Sequence, residues 1–346
     1  MSGEDPDPPG APTATLAELG ERGLISRLRQ RLPPPGPEVL VGIGDDTAAV
    51  RWGPGTLLLA TDTLVENVHF RRATAPLRDV GAKAIAVNVS DIAAMGGAPR
   101  YALLALALPP DLPVAEVDEL FTGVLDMARQ HGVTLVGGDT CAGPGGLVLS
   151  VTLVGHVEGT PLRRSGAGPG DVILVTGTLG ASAAGLAVLE RRPGGLPPAL
   201  VDAVVRLHRV PVPRVAEGRS IRAAGGATAM IDLSDGLVTD LGHIAAESRV
   251  GARVDVDTLP VSEATRAVAR ALGVDPLRWA LSGGEDYELL FTAPPEHAMD
   301  LVRAVTERTG TAIHPIGEVR PREEGVRFLD RAGRPHTVTP GFDHFG

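Results

Sequence analysis

Two α/β domains are predicted by three observations on this chain. Its 346 residues exceed one core at about 150 residues per domain. Short aliphatic runs alternate with stretches at helical spacing in both halves. A cluster of Gly and Pro at residues 159, 161, 166 and 168–170 separates the halves, predicting a tail over 1–13, one domain over 14–158 and a second over 159–346.

The amino-terminal 13 residues are rich in Pro, Asp and Gly and read as a disordered tail, with neither the apolar nor the basic segment of a signal peptide. Residues 16–32 carry Leu16, Leu19, Leu24, Ile25, Leu28 and Leu32 at helical spacing, and Pro33-Pro34-Pro35 stops that helix. Residues 39–44 and 57–61 read as strands around a Gly53-Pro54-Gly55 turn. A helix over 76–95 ends at Gly96-Gly97, which suits a C-cap. Then come a strand (101–108), a helix (114–130), a short strand (134–136) running into an acidic turn, and a strand (147–157). The second half reads as strand 171–175, helix 181–191, a loop at 194–198, two more helices, strand 227–231 and helix 237–248. Strand 252–256, helix 263–272, strand 287–292, helix 295–309 and closing strands complete it. Strand order does not follow from this alternation.

Composition narrows the functions. The hydrophobic fraction of 43% fills two cores, and aromatics at 3% leave few stacking partners for a ring-shaped ligand. The net charge of −10, with no basic patch, argues against a nucleic-acid partner. No apolar run is long enough to span a bilayer, so a soluble protein is expected. Lys83 is the only lysine, and Gly81-Ala82-Lys83-Ala84 does not fit a phosphate-binding P-loop. The single Cys141 excludes an intramolecular disulfide framework and fits a reduced cytoplasm. No histidine adjoins it to activate a thiolate.

Seven aspartates fall in five short motifs: Gly42-Ile43-Gly44-Asp45-Asp46, Thr61-Asp62-Thr63, Asn88-Val89-Ser90-Asp91, Gly137-Gly138-Asp139-Thr140 and Asp232-Leu233-Ser234-Asp235-Gly236. Each motif follows an aliphatic run that reads as a buried strand, which places the carboxylates at strand ends, where α/β proteins build their sites. An aspartate beside glycine also serves as a turn or N-cap residue, worth about 1 kcal/mol without chemistry. Asp91 lies inside a helical pattern, where no cap explains it. If the carboxylates converge, each pair about 4 Å apart repels by roughly 4 kcal/mol at an effective dielectric of about 20, so divalent cations or protons must join them. Oxygen-only ligands favour Mg2+ over zinc. Gly283-Gly284-Glu285-Asp286 offers a second tight turn, and His69 follows Asp62 closely; either can be purely structural.

These motifs, in this order, resemble the thiamine-monophosphate kinase family, whose superfamily shares its fold with aminoimidazole ribonucleotide synthetase. The most specific pieces are the Asp45-Asp46 motif, residues 61–70 (Thr61-Asp62-Thr63-Leu64-Val65-Glu66-Asn67-Val68-His69-Phe70), residues 86–96, residues 232–237 and residues 282–288. The resemblance implies ATP-dependent phosphorylation of thiamine phosphate to thiamine diphosphate in the cytoplasm. It also implies a mixed α/β carboxyl-terminal domain and a homodimer whose amino-terminal ATP- and Mg2+-binding domains pair into a shared β-barrel, with no membrane or nucleic acid involved. By matching motif, Asp45, Thr61, Asp62, Asp91, Asp139, Asp232 and Asp235 would hold several Mg2+ ions, and Asp45, Asp62, Asp91, Asp139 and Asp235 would carry the catalysis. Thr61, Gly138, Asp139, Arg164 and Ser234 would meet the nucleotide phosphates or their metals, and His69, Glu285 and Phe342 would line the thiamine phosphate pocket.

Three positions depart from the family pattern. Ala60 and Cys141 stand where Ser or Thr is common, and Phe342 lacks a polar tip. Selenophosphate synthetase would need a reactive Cys or selenocysteine with a lysine near the start, and the hydrogenase maturation dehydratase a carboxyl-terminal cysteine. This chain shows neither. An aminoimidazole ribonucleotide synthetase-like enzyme and a non-catalytic metal and nucleotide sensor remain the alternatives.

Overall fold

The computed structural model describes residues 36–42, 44–143 and 145–342, with Gly23, Ile25 and Ser26. Those three are helical, but the rest of the predicted helix over 16–32, like the tail over 1–13, lies outside the described residues.

The first half contains β1 (Val39–Val41), β2 (Ala48–Trp52), β3 (Gly55–Val65), α1 (Leu77–Ala94), β4 (Ala98–Leu108), α2 (Val114–Gln130), β5 (Thr134–Ala142) and β6 (Val148–Val157). Its strands form one six-stranded sheet in the order β1-β2-β3-β6-β4-β5, antiparallel except for β4 and β5. Alternation along β3 turns Leu58, Ala60 and Leu64 inward and Leu59, Thr61 and Thr63 outward. The inward set joins Leu104, Leu106, Leu149, Leu153, Ile85, Val89 and Ile92 in one core. Nearly every position of α1 is buried, as expected of a helix with apolar or small residues all round. Gly96, with φ of 69°, ends the helix as predicted.

The second half contains β7 (Val172–Thr176), α3 (Ala181–Arg191), α4 (Pro198–Arg209), α5 (Val215–Ala224), β8 (Ala229–Asp232), α6 (Leu237–Ser248), β9 (Gly251–Asp255), α7 (Glu263–Leu272), α8 (Pro276–Ser282), β10 (Leu289–Ala293), α9 (Pro295–Thr309), β11 (Ile313–Arg320) and β12 (Val326–Leu329). The sheet order is β12-β9-β11-β7-β10-β8, with only β12 and β9 parallel. Both faces are covered. Ile173 and Val175 pack with Leu237, Leu241 and Ile244, while Leu174, Met230 and Phe291 pack with Leu301, Val305 and Ala94 of α1. That contact brings the end of α1, where Asp91 sits, against β8.

Two expectations need correction. Three of the motif aspartates do not stand at strand ends: Asp62 lies inside β3 and Asp139 inside β5, because the strands run on through Thr61-Asp62-Thr63 and Gly137-Gly138-Asp139, and Asp91 lies in the last turn of α1. The Gly-Gly-Asp segment is therefore strand, not turn. A Cβ on Gly138 would lie 1.9 Å from the Leu104 carbonyl oxygen, so the close β4–β5 pairing requires glycine there. Residues 48–52 and 276–282 form β2 and α8, where the sequence predicts no particular element. Among the described residues no helix is long and apolar enough to cross a membrane.

Candidate active site

The acidic site forms where α1, β3, β8 and the segment after β1 meet. Asp62 faces α1, and its backbone N–H donates to Asn88 Oδ1 at 3.0 Å. Three residues along the helix, Asp91 occupies the last turn, where a carboxylate meets the negative end of the helix dipole at a cost of about 0.3–1 kcal/mol. Asp232 ends β8, and Ser90 Oγ donates to it. Oxygen atoms of Asp46, Asp91 and Asp232 lie within 4.8 Å of one another.

One cation enters this cluster. The Arg164 guanidinium lies 2.8 Å from Asp46 Oδ1, and its backbone N–H donates to Asp45 Oδ1 and Oδ2 at 3.2 and 3.1 Å. It does not balance the set. Burial first, then the Asp46 charge, pushes Asp45 up to about 7. Burial, with Asp46 and Asp62 near, pushes Asp232 up to about 8, and Asp91 is driven well above the carboxylate range by burial and by Asp62, Asp232 and Asp46. Carboxyl groups so placed take up protons or share divalent cations. Asp46 Oδ2 is buried without a hydrogen-bond partner, which leaves a lone pair aimed into the cluster for a ligand to claim. Oxygen donors, crowded charge and an orphaned carboxylate oxygen fit Mg2+.

A second group adjoins the first. One ligand atom each of Asp235, Asp240 and His243 also lie within 4.8 Å of one another. Asp240 Oδ2 accepts the backbone N–H groups of Asp235 and Gly236 at 3.1 and 3.0 Å, which fixes the turn carrying Asp235. The Ser234 carbonyl accepts the Glu285 N–H at 2.7 Å, so the Gly283-Gly284-Glu285-Asp286 segment docks on the same turn. His69 Nδ1 accepts the Val65 N–H at 3.0 Å, which fixes the ring.

The structure thus gathers Asp45, Asp62, Asp91, Asp232 and Arg164, sets Asp235 and Ser234 beside them, and places His69 near Glu285. Thr61 and Asp139 face the other way. Thr61 Oγ1 donates to the Val151 carbonyl at 3.0 Å, and pairing with Ala105 puts Asp139 on the exposed face of the sheet, beside Gly138. Phe342 belongs to the other compact unit of the chain, where its ring is 49% exposed.

Several participants escaped the sequence reading. Asp46 was quoted in its motif, but only Asp45 was carried forward, since nothing local says which of two adjacent carboxylates turns inward. Asp240 and His243 share a helix face at i, i+3, a spacing that could have joined them to Asp235. Asn88 and Ser90 had only their nearness to Asp91.

Residues 44–157 match the family model for AIR synthase related protein, N-terminal domain, and residues 168–330 match its C-terminal domain. The two halves are therefore those of an AIR synthase related protein. Over 334 residues the chain is 42% identical to thiamine-monophosphate kinase of Escherichia coli strain K12, covering 94% of this chain and 98% of that one. The solved structure of AaThiL complexed with AMPPCP and TMP superposes with a TM-score of 0.83 at 37% identity, covering 96% and 99%. Thiamine-monophosphate kinase from Stenotrophomonas maltophilia K279a gives a TM-score of 0.73 at 38% identity, covering 90% and 95%. The chain belongs to the thiamine-monophosphate kinase family.

Proposed function

We propose that this chain transfers the γ-phosphoryl group of ATP to thiamine phosphate, giving thiamine diphosphate and ADP. The observation that carries the reading is a buried Asp46, Asp91 and Asp232 cluster in a chain so similar, end to end, to thiamine-monophosphate kinases. In this reading Asp45, Asp62, Asp91, Asp232 and Asp235, joined by Asp46, hold several Mg2+ ions. Mg2+ bound there would neutralise the two polyanions and the charge that develops in transfer.

The chain's own residues orient and neutralise. Arg164 and Ser234 meet the nucleotide phosphates; His69 and Glu285 wall the thiamine phosphate. The attacking phosphate oxygen is ionised at neutral pH, so no residue is needed as general base. Positioning and electrostatics then account for the acceleration, with no covalent enzyme intermediate. The domains run over 14–158, for ATP, Mg2+ and dimerisation, and 159–346.

A homodimer completes this reading. Leu59, Tyr101, Leu103 and Val136 form an exposed apolar set on the outer face of the first sheet, and β5 is its edge strand among the described residues. Such a face and edge invite a second copy. Two open sheets joined there would close the barrel, and the interface would cover Thr61, Gly138 and Asp139, bringing them to the nucleotide. Leu103→Glu should convert a dimer to a folded monomer with turnover reduced at least about tenfold. Light scattering and circular dichroism check this, and a monomeric wild-type chain would sink it.

The function itself is tested by incubating the purified chain with ATP and Mg2+, with and without thiamine phosphate, and following ADP and thiamine diphosphate together. Equal amounts, formed only when thiamine phosphate is present, are expected. ADP formed without it, or only with formylglycinamidine ribonucleotide, would move the chain to another activity of the superfamily, and no ADP at all to a sensor.

A further inference from the structure

The only lysine of the chain is buried beside the acidic site. Lys83, in the middle of α1, is 3% exposed, and its Nζ lies 2.5 Å from Oε1 of Glu285, in the other half of the chain. An ammonium is a compact point charge on a flexible stem, whereas a guanidinium is a broad fork that asks for several acceptors. Burying either costs several kcal/mol unless a carboxylate answers it. A buried pair is also a poor device for stability alone, because an apolar pair of similar volume does as well or better.

Glu285 is held from three sides. His208 of α4 places Nδ1 3.4 Å from Glu285 Oε2 and 3.0 Å from Ser182 Oγ. Burial, followed by the Lys83 charge, pushes His208 down to about 4, so at neutral pH it is uncharged and Lys83 is the cation that answers Glu285. Burial alone would raise Glu285, but the attraction of Lys83 holds it below its ordinary value. The third hold is the backbone.

Gly284, Glu285 and Tyr287 all adopt left-handed conformations, with φ of 66°, 57° and 51°. For Glu and Tyr this costs about 1–3 kcal/mol each, a strain that persists only where the surroundings over-determine it. The Tyr287 N–H donates to the Leu233 carbonyl at 2.9 Å, and a Cβ on Gly284 would lie 2.8 Å from the Ser234 carbonyl oxygen. The strained turn is thus clamped onto the turn that carries Asp232 and Asp235. The Glu285 side chain keeps 28% exposure, so it is not sealed off from a ligand.

We propose that Lys83 is a positioning residue for thiamine phosphate: its buried ion pair holds the Glu285 side chain in one orientation, presented to the organic cation of the substrate. This rests on the kinase reading above and extends it to a residue that never touches the substrate. The ATP side of the site, built on Arg164 and the aspartates, does not depend on it.

The test is steady-state kinetics of Lys83→Gln, varying each substrate in turn. KM for thiamine phosphate should rise about tenfold or more, KM for ATP should stay within about twofold, and Lys83→Arg should restore part of the loss. Glu285→Gln, alone and with Lys83→Gln, completes a cycle: if Lys83 acts through Glu285, Lys83→Gln adds nothing to KM once the Glu285 carboxylate is gone. The double variant also removes both buried charges, so it keeps the proposal testable if Lys83→Gln does not fold. An unchanged KM for thiamine phosphate, equal rises for both substrates, or additive effects in the cycle would overturn the proposal. A wild-type chain that leaves thiamine phosphate unphosphorylated overturns the kinase reading, and this inference with it.

Discussion

Asp91→Asn is expected to lower turnover by about 10²-fold or more while the chain stays folded, and Asp235→Asn should do the same. The two substitutions keep side-chain shape and remove one negative charge. In a cluster where burial, Asp62, Asp232 and Asp46 already press on Asp91, losing that charge relieves repulsion, so thermal stability should hold or rise. Retained stability with lost turnover separates a charge needed for cation binding from one needed for folding. Exposed Asp118→Asn, well away from the cluster, serves as the control and should leave both unchanged. A folded Asp91→Asn chain with near wild-type turnover would remove Asp91 from the catalytic set.

The site was legible wherever its chemistry is local. Asp45, Asp62, Asp91 and Asp232 each sit in a short motif, and each reaches the cluster. Helices were legible too: α2, α3, α6, α7 and α9 have the predicted bounds, because an apolar stripe at helical spacing is set within one element. Strand order was not, since it depends on pairing between distant segments, and alternating elements turned out to form mixed, mainly antiparallel sheets. β3 and β5 ran longer than predicted because Thr-Asp-Thr and Gly-Gly-Asp look like breaks in hydrophobicity, yet the backbone keeps its pairing through them. The sharpest gap is Lys83. Its partner Glu285 comes from the other half of the chain, and its sole local signal was being the only lysine.

Protons and Mg2+ should compete for this cluster, and stability should report the competition. Between pH 4 and 6.5 the slope is mixed, because His208, depressed to about 4, favours folding as pH rises, while the raised carboxyls oppose it. Above the ordinary histidine range only the raised carboxyls remain. With Asp232 at about 8 and Asp45 at about 7, the folded chain binds more protons than the unfolded chain up to about pH 8. Folding stability in chelator should therefore fall as pH rises from about 6.5 to 8. Mg2+ binds the ionised forms, so its stabilising increment, about 2.7 kcal/mol at a hundredfold excess over Kd, should grow across the same window. Asp286, raised to about 7 by burial near the amino end of α3, holds no place in the cluster, so its share of the slope should survive Mg2+. Thermal melts at matched ionic strength, with chelator and with Mg2+, measure both curves. An Mg2+ increment that stays constant from pH 6.5 to 8, or chelated stability that rises over that range, would mean that Asp45 and Asp232 are not the groups exchanging protons for the cation.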